Sequence, residues 1–193
     1  MSKKVLDLLK EKFGAAILET HAQFGDDTAV IAPDAWRAAA LFLRDDNRIA
    51  MNMFTDLCGV DYHHREPRFE VVCHLRSLQH AHRIRIKSRV GDEEGEVVEI
   101  DSLVPVWRGA DWFERETFDL MGITFKGHPD MRRILMYPEF KGHPLRKDYP
   151  ANKTQPLIPY REGTQDKLFP FREDEGMSFG RQTFDHRNDR GES

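Results

Sequence analysis

The sequence predicts an α+β fold, a two-layer domain in which helices lie on one side of a mixed sheet of about five strands. Apolar residues recur at helical spacing in residues 3–13, and they alternate with basic residues in residues 81–90. Segments of the two kinds follow each other in the order α-β-β-α-β-β-β, which is typical of helices packed on one face of a sheet. At 193 residues the chain is long enough for one domain with its own core.

Each element has a local signal at its boundary. The first predicted helix, residues 3–13, ends at Gly14, a residue type that often terminates helices. A Gly25-Asp26-Asp27 turn separates the first two strands, and Pro33 opens the second helix. After the first helix, the sequence predicts strands at 15–23 and 28–32, a helix at 33–44, and strands at 51–62, 68–78 and 81–90. The alternation in the last strand indicates a sheet with one face in water.

A further helical region is predicted from Ser102 to Gly122, two residue types suited to the start and the end of a helix. A helical projection makes most of its circumference apolar, which predicts burial on most sides. Asp111, Arg115 and Asp119 share a polar face at i, i+4, i+8 spacing, so we expect the arginine to pair with both acids.

Two carboxylates, Glu114 and Glu116, fall on the apolar part of this helix, so both are expected to be partly desolvated. A desolvated carboxylate must pair with a cation or raise its pKa. The cations just downstream are Arg132, Arg133, Arg146 and Lys147. We therefore expect buried ion pairs that fix the following loops against the helix. A general acid/base pair is the alternative role for the two carboxylates.

The five-residue element Phe-Lys-Gly-His-Pro occurs twice, at residues 125–129 and 140–144. Because Gly allows a positive φ and Pro fixes its own φ, each copy is expected to hold its histidine, His128 or His143, on a rigid non-helical corner. The two rings could bind phosphate together with nearby Arg and Lys. We favour rings that are fixed to backbone or carboxylate partners. Residues 126–153 hold seven basic and three acidic residues, a local +4 in a chain of net charge −4.

The composition changes at residue 150, which predicts a domain at 1–149 and an extended arm at 150–193. The arm has four prolines, no valine and few other aliphatic residues, so it cannot form a core of its own. Its spaced aromatic residues, among them Tyr160, Phe169 and Phe171, indicate anchors that bind a partner.

Composition and motifs also argue against several functions. The mild overall acidity disfavours binding to nucleic acid or anionic lipid, and no apolar run is long enough to span a membrane. Two isolated cysteines cannot hold an iron–sulfur cluster, and no metal-binding, nucleotide-binding or nucleophile motif occurs. A nucleic-acid-binding module using residues 126–153 with Phe140 and Tyr149, and a metal-dependent hydrolase, remain as distant alternatives.

Four motifs carry a resemblance to a known family. They are Glu-Arg-Glu-Thr-Phe-Asp-Leu-Met-Gly-Ile at 114–123, Gly-His-Pro at 127–129, Arg-Arg-Ile-Leu at 132–135 and Gly-His-Pro-Leu-Arg-Lys-Asp at 142–148. Together they resemble the signature of the C subunit of respiratory complex I, the 30-kDa subunit family of proton-translocating NADH:quinone oxidoreductase (NDH-1). The order of elements from residue 3 to 149 is also similar to that family. Met121 departs from the family pattern, which more often has an aromatic residue there.

The resemblance implies a non-redox structural subunit of the quinone module in the peripheral arm. It implies docking on the D subunit of the complex as a separate polypeptide, with the B subunit and other peripheral-arm subunits as further partners and no nucleic acid. FMN, iron–sulfur clusters and quinone would be bound by partner subunits, with no cofactor, metal or catalytic residue on this chain. The chain would then belong to an enzyme, a translocase, only as one of its subunits. It would lie on the cytoplasmic side of the inner membrane, in contact with it only through the complex.

The alternative within this resemblance is the equivalent subunit of a membrane-bound hydrogenase or of a dehydrogenase complex with another electron donor. In either case the matching residues are expected to have structural or interface roles. They are Glu114, Arg115, Glu116, Asp119, Gly122, His128, Pro129, Arg132, Arg133, Gly142, His143, Pro144, Arg146, Lys147 and Asp148, to which the composition of the arm adds Tyr160, Phe169 and Phe171.

Overall fold

The computed structural model describes residues 3–91 and 98–155. Its helices are α1 (Lys3–Phe13), α2 (Trp36–Asp45) and α3 (Ala110–Met121). Its strands are β1 (Ile17–His21), β2 (Thr28–Ile31), β3 (Met53–Asp61), β4 (Phe69–Ser77), β5 (His82–Val90), β6 (Glu99–Asp101) and β7 (Thr124–Lys126). Short 3-10 turns at Gly14–Ala16, Gln23–Gly25 and Pro33–Ala35 lead into β1, β2 and α2.

The main sheet has five strands in the order β1-β2-β5-β4-β3. Neighbouring strands are antiparallel except β2 and β5, which run parallel, so the sheet is mixed. The predicted fold class and the predicted order of helices and strands up to residue 90 are therefore confirmed. The predicted arm is not tested, because residues 156–193, with Tyr160, Phe169 and Phe171, lie outside the described residues.

The two faces of the main sheet differ as the alternation in β5 predicts. Ile84, Ile86 and Val90 are buried on the face that carries the core, whereas the basic residues between them point to the other face. The core face is covered by α1 and α2, where Leu9 and Trp36 are fully buried. Burial of this apolar surface is the main source of stability for such a layer. In the described ranges, no helix is long and apolar enough to cross a membrane.

The prediction of a continuous helix from Ser102 is wrong, because α3 begins only at Ala110. Residues 103–109 form turns instead, and the Ser102 hydroxyl accepts a hydrogen bond from the Val104 N–H at 3.1 Å. Trp107 is buried in this segment, and its indole N–H donates to the Met51 carbonyl at 3.1 Å. Pro105 lies inside the predicted range and disfavours helical backbone at Val104. The parallel pair of β6 and β7 was likewise not predicted.

Helix α3 lies against β3 at one edge of the main sheet, and Gly59 in β3 permits the close approach. A Cβ atom at Gly59 would be 3.0 Å from both Ile123 Cδ1 and Thr117 Cγ2. Interiors are packed as closely as organic crystals, so these two groups have little room to move. The absence of a side chain at residue 59 thus sets the distance between the helix and the sheet.

Replacing Gly59 with alanine should therefore lower the free energy of unfolding by about 1–3 kcal/mol, because an added methyl group overpacks this contact. The control is Gly109→Ala, since Gly109 has φ −64° and its Cβ would meet nothing closer than Phe54 at 3.6 Å. That variant should be neutral or more stable by less than about 1 kcal/mol. Urea denaturation measures both values, and equal stabilities of the two variants would contradict the packing argument.

Candidate protein-interaction site

The histidine of the first repeat is bonded to the start of α3. His128 Nε2 lies 3.2 Å from the Asp111 carbonyl oxygen, and its Nδ1 accepts the N–H of Asp130 at 3.0 Å. These two bonds require the neutral ring with its proton on Nε2. The His128 side chain is fully buried. Here the expectation of a ring fixed to a backbone partner is confirmed.

The histidine of the second repeat is bonded to the other end of the same helix. His143 Nδ1 lies 3.0 Å from the Asp119 carbonyl oxygen, and the ring meets Phe118 edge-on at a centroid distance of 6.1 Å. Burial lowers the pKa of His143, so its ring is neutral near pH 7. The two copies of the repeat thus bind carbonyl groups eight residues apart, one at each end of α3.

Arg146 completes the end of α3. Its Nε donates to the Met121 carbonyl at 2.6 Å, and its guanidinium lies 5.1 Å from the centre of the Phe69 ring. Gly122 ends the helix at φ 75°, and the Leu145 N–H donates to the Leu120 carbonyl at 3.0 Å. The carbonyls that a helix end leaves without partners are therefore bonded by the second repeat and the residues after it. The positive charge of Arg146 also interacts favourably with the helix dipole, whose C-terminal end is partly negative.

Asp119, on the inner side of α3, holds the loop between the two repeats. Its side chain is fully buried, and its Oδ2 accepts the backbone N–H groups of residues 134, 135 and 136 at 3.1, 2.8 and 2.8 Å. Its Oδ1 accepts from Arg133 at 2.7 Å. Burial alone would raise the pKa of Asp119, but the bonds from Met136, Arg133 and the two other amides outweigh it and lower the pKa.

The predicted pairing of Arg115 with Asp111 and Asp119 is wrong. Arg115 donates instead to the carbonyl oxygens of Arg132 at 3.1 Å and Arg133 at 3.4 Å. Arg132 pairs with Asp130 at the surface, at 2.6 Å. The helical spacing brings the three side chains to one face, but the loop after β7 offers Arg115 and Asp119 closer partners. Long-range contacts of this kind have no signal in local spacing.

Glu114 is buried as predicted, but its partners are not cations. It is inaccessible to solvent, its Oε1 accepts the Leu103 N–H at 2.6 Å, and its Oε2 lies 2.7 Å from the Ser102 hydroxyl. Burial raises the pKa of Glu114 to about 7, although both of these hydrogen bonds oppose the rise. The predicted ion pair of Glu114 is therefore wrong. Its carboxyl group joins α3 to the turn that precedes it.

Glu116 is exposed, which contradicts its predicted desolvation. It lies on the outer side of α3, and no cation pairs with it in residues 3–91 and 98–155. The prediction fails because α3 has an open face, so it is not buried on most sides. Since Glu114 is enclosed and Glu116 is in solvent, the two groups do not share a cleft as a general acid/base pair would.

The end of the second motif is bonded to the hairpin of β3 and β4. Arg68 binds Asp61 at 2.7 Å and Asp148 at 2.8 Å, and the Lys147 N–H donates to Asp61 at 2.8 Å. The hydrogen bond from the Arg68 guanidinium is the largest of the effects that lower the pKa of Asp61 far below its usual range. Sequence analysis predicted roles for Lys147 and Asp148 but missed Asp61 and Arg68. An acidic residue at the end of an apolar strand is the one local signal that marks Asp61.

The remaining residues of the motifs shape the loops. Gly142 has φ 97°, which a residue with a side chain rarely adopts, and its carbonyl accepts from Arg133 at 3.0 Å. Pro129 is exposed, and Pro144 is half-buried next to His143. Among the residues that the structure describes, no three His, Cys, Asp or Glu side chains come together in a way that could hold a metal ion.

The open face of α3 is apolar and is flanked by two grooves. The first, called here the Trp112 surface, has a volume of about 660 Å³ and is lined by Trp112, Phe113, Arg115, Glu116, Ile134 and Leu135. Trp112 is 69% exposed and Leu135 is 56% exposed. The second, called here the edge groove, has a volume of about 240 Å³ and lies between α3 and β3. Contiguous apolar exposure of this kind marks an interaction surface.

Comparison with known proteins identifies what the chain is similar to. Residues 29–155 match the model of the family described as the 30-kDa subunit of respiratory-chain NADH dehydrogenase. The chain is 45% identical over 144 residues to the C subunit of NADH-quinone oxidoreductase from Methylobacterium sp. (strain 4-46), a match that covers 75% of this chain and 65% of the relative. The corresponding protein of Agrobacterium fabrum is 44% identical over 154 residues, which are 78% of this chain and 75% of that protein.

Two further comparisons bear on architecture. A protein of Bdellovibrio bacteriovorus named as the C/D subunit of NADH-quinone oxidoreductase is 46% identical over 136 residues, which are 70% of this chain but only 23% of that protein. A solved structure of a trypsin-resistant fragment of Nqo5 has a TM-score of 0.55 at 26% identity and covers 66% of this chain and 97% of the fragment.

Substituting Glu114 with glutamine should change how stability depends on pH. The folded pKa of about 7 lies above the usual glutamate value of about 4.3, so the folded chain binds the proton more tightly than the unfolded chain. The stability that this group contributes is therefore present at pH 4 and lost as the pH rises through 7. From pH 4.5 to pH 8 the wild type should lose about 3 kcal/mol relative to Glu114→Gln. Urea titrations at several pH values measure the free energy of unfolding of both proteins. If that free energy changed equally with pH in the wild type and in Glu114→Gln, the raised pKa of Glu114 would be refuted.

Arg146→Ala and Glu116→Ala should differ in stability, although both residues lie in the motifs that carry the family resemblance. Removing Arg146 leaves helix-end carbonyls without their donor and removes the contact with Phe69, so the free energy of unfolding should fall by roughly 2–3 kcal/mol. Glu116 is exposed, and its replacement should change stability by no more than about 0.5 kcal/mol. Chemical denaturation measures both, and a large loss for Glu116→Ala would show that its side chain has a partner within the fold.

Proposed function

The chain belongs to the family of the 30-kDa subunit of respiratory-chain NADH dehydrogenase, and we propose on that basis that it is a non-redox structural subunit of NADH:quinone oxidoreductase. In this role it lies in the quinone module of the peripheral arm and docks on the D subunit of the complex. The whole complex passes electrons from NADH through FMN and iron–sulfur clusters to quinone and couples this transfer to proton translocation. The FMN, the iron–sulfur clusters and the quinone are bound by partner subunits.

The structural observation that supports docking on a partner is the exposed apolar face of α3. The helix is bonded at both ends by the two repeats, so its backbone is held in place, and Trp112 is 69% exposed on it. A tryptophan on a rigid surface is a common anchor of protein interfaces, because it buries a large area at little cost in conformational entropy. The surface carries charges of both signs beside Trp112, from Arg115 and Glu116, so the partner is expected to present complementary charges to both.

The D subunit is proposed as the partner because one relative carries the combined name C/D. The matched segment is 23% of that protein, so a segment similar to this chain and a D subunit are joined in one polypeptide there. Domains fused in one relative are often neighbours when they are separate chains. The B subunit and other peripheral-arm subunits are proposed as further contacts of the same complex.

The bonding of the titratable groups supports a structural role over a catalytic one. Both histidine rings are bonded to carbonyl oxygens of α3, and Asp119 accepts four hydrogen bonds. A side chain whose hydrogen-bonding atoms are already bonded within the fold is poorly placed to exchange protons with a substrate. We further propose that the chain contacts the cytoplasmic side of the inner membrane only through the assembled complex.

The test is co-expression of the full chain with the D subunit from the same organism, followed by size exclusion. The wild-type chain should co-elute with it, and Trp112→Ala combined with Glu116→Lys should reduce the co-eluting fraction at least tenfold without unfolding the chain. Phe24→Ala is the matched control, since Phe24 is a fully exposed aromatic residue in the turn before β2. Turnover is measured on the whole complex purified from membranes of cells that carry the double variant, because the redox groups lie on other subunits. Any whole complex that still assembles there should keep normal turnover per particle. A variant that assembles fully but is inactive would overturn the structural role.

A further inference from the structure

Strand β3 is an edge of the main sheet, since it pairs only with β4 among the described strands. The Tyr62 N–H donates to the Arg68 carbonyl at 2.9 Å, so these two residues form a hydrogen-bonded pair. Hydrogen-bonded pairs alternate with non-hydrogen-bonded pairs along an antiparallel ladder. With a register that is regular from residue 56 to 61, the backbone groups of residues 56, 58 and 60 face β4. The N–H and C=O groups of Leu57 and Gly59 therefore face away from β4.

These outward groups open into the edge groove. Its floor is formed by four consecutive residues of β3, from Asp56 to Gly59. Because side chains alternate between the faces of a sheet, only a groove that meets the strand at its edge can touch four residues in a row. The opposite wall is a stripe of α3, and Leu145 lies at the side. The residues of that stripe are Phe113, Glu116, Thr117, Leu120 and Met121.

The backbone groups of Leu57 and Gly59 lack partners in a partly enclosed place. Leu57 is 2% exposed and Gly59 is half-buried. Within residues 3–91 and 98–155, neither residue has a backbone hydrogen bond on its outward side. Backbone groups away from bulk water are nearly always bonded in folded proteins. A strand edge with unpaired backbone groups is also the usual place where a further strand adds.

We propose that a short extended segment of the D subunit occupies the edge groove as an additional strand along β3, with hydrogen bonds to the backbone of Leu57 and Gly59. This inference rests on the proposed function and specifies how that partner is held. Apolar side chains of the segment contact Phe113, Leu120 and Leu145, and a basic side chain of the segment meets Glu116, since the Asp56 carboxylate is already bonded to His74 at 2.6 Å. The exposed carboxylate of Glu116 on an otherwise apolar wall makes the segment a basic and apolar one.

The edge groove is continuous with the Trp112 surface, because Phe113 and Glu116 line both. A single partner can therefore cover the open face of α3 and reach the strand edge beside it. Side chains on the Trp112 surface supply anchors, and the strand edge supplies backbone hydrogen bonds that fix the orientation of the partner. The two contributions are physically distinct and can be measured separately.

Amide hydrogen exchange tests the proposal in the full chain, first by itself and then in its purified complex with the co-expressed D subunit. The amides of Leu57 and Gly59 should exchange at least tenfold more slowly in the complex. The amides of Cys58 and Val60 bond to β4 and should be protected in both states, so they are internal controls.

Each other outcome has a definite meaning. If the complex forms but the Leu57 and Gly59 amides do not change, the partner docks without adding a strand, and this inference fails while the proposed function stands. If no complex forms, both fail. If the two amides become protected in the isolated chain as its concentration rises, a second copy occupies the edge, and the D subunit is the wrong occupant.

A pair of variants provides a second measurement. Leu145→Glu places a second acidic group in the groove beside Glu116, and Leu145 is already 52% exposed, so the fold should be retained. It should weaken binding of the D subunit at least tenfold and abolish the added amide protection. The matched control is Leu78→Glu, at a 64% exposed leucine between β4 and β5. Wild-type affinity for Leu145→Glu would sink the proposal.

Discussion

The arrangement around α3 depends on one buried carboxylate, Asp119. A charge enclosed by protein must find several donors to replace water, and here every donor comes from the loop between the two repeats. Three successive N–H groups and Arg133 converge on it. The loop is thus wrapped around a charge on the helix. The path of the chain from residue 133 to 136 follows from that single requirement.

The repeat has a physical purpose at each of its two positions. One copy binds the carbonyl of Asp111 and the other binds the carbonyl of Asp119, so the same local geometry fixes both ends of a helix of 12 residues. Neither histidine needs a charge to do so. The helix gains a fixed orientation, and one of its faces stays free. A helix whose backbone is already held in place loses less entropy when a partner binds, which favours tight association.

Local patterns predicted the sheet domain well, because each of its elements has its own signal. The helix that stops at Gly14 and the alternation through β5 are both determined by neighbours in sequence, and the structure confirms them. The region from Ser102 to Gly122 is predicted less well, since residues 103–109 form turns and the helix begins only at Ala110. The partners of Glu114, Arg115 and Asp61 are contacts between distant segments. A helical projection places such side chains on a face, but it carries no information about what lies opposite.

The bonds that Asp61 and Arg68 make to Lys147 and Asp148 join residues that are 80 and 86 positions apart in the chain. Contacts between residues so far apart in the sequence are expected to form late in folding. During synthesis the five-stranded sheet emerges whole before Lys147 does. The bonds from His143, Leu145 and Arg146 that hold the C-terminal end of α3 likewise come from residues that follow the whole sheet in the sequence. The helix that carries the partner-facing surface is therefore held in place only by residues near the end of the described chain.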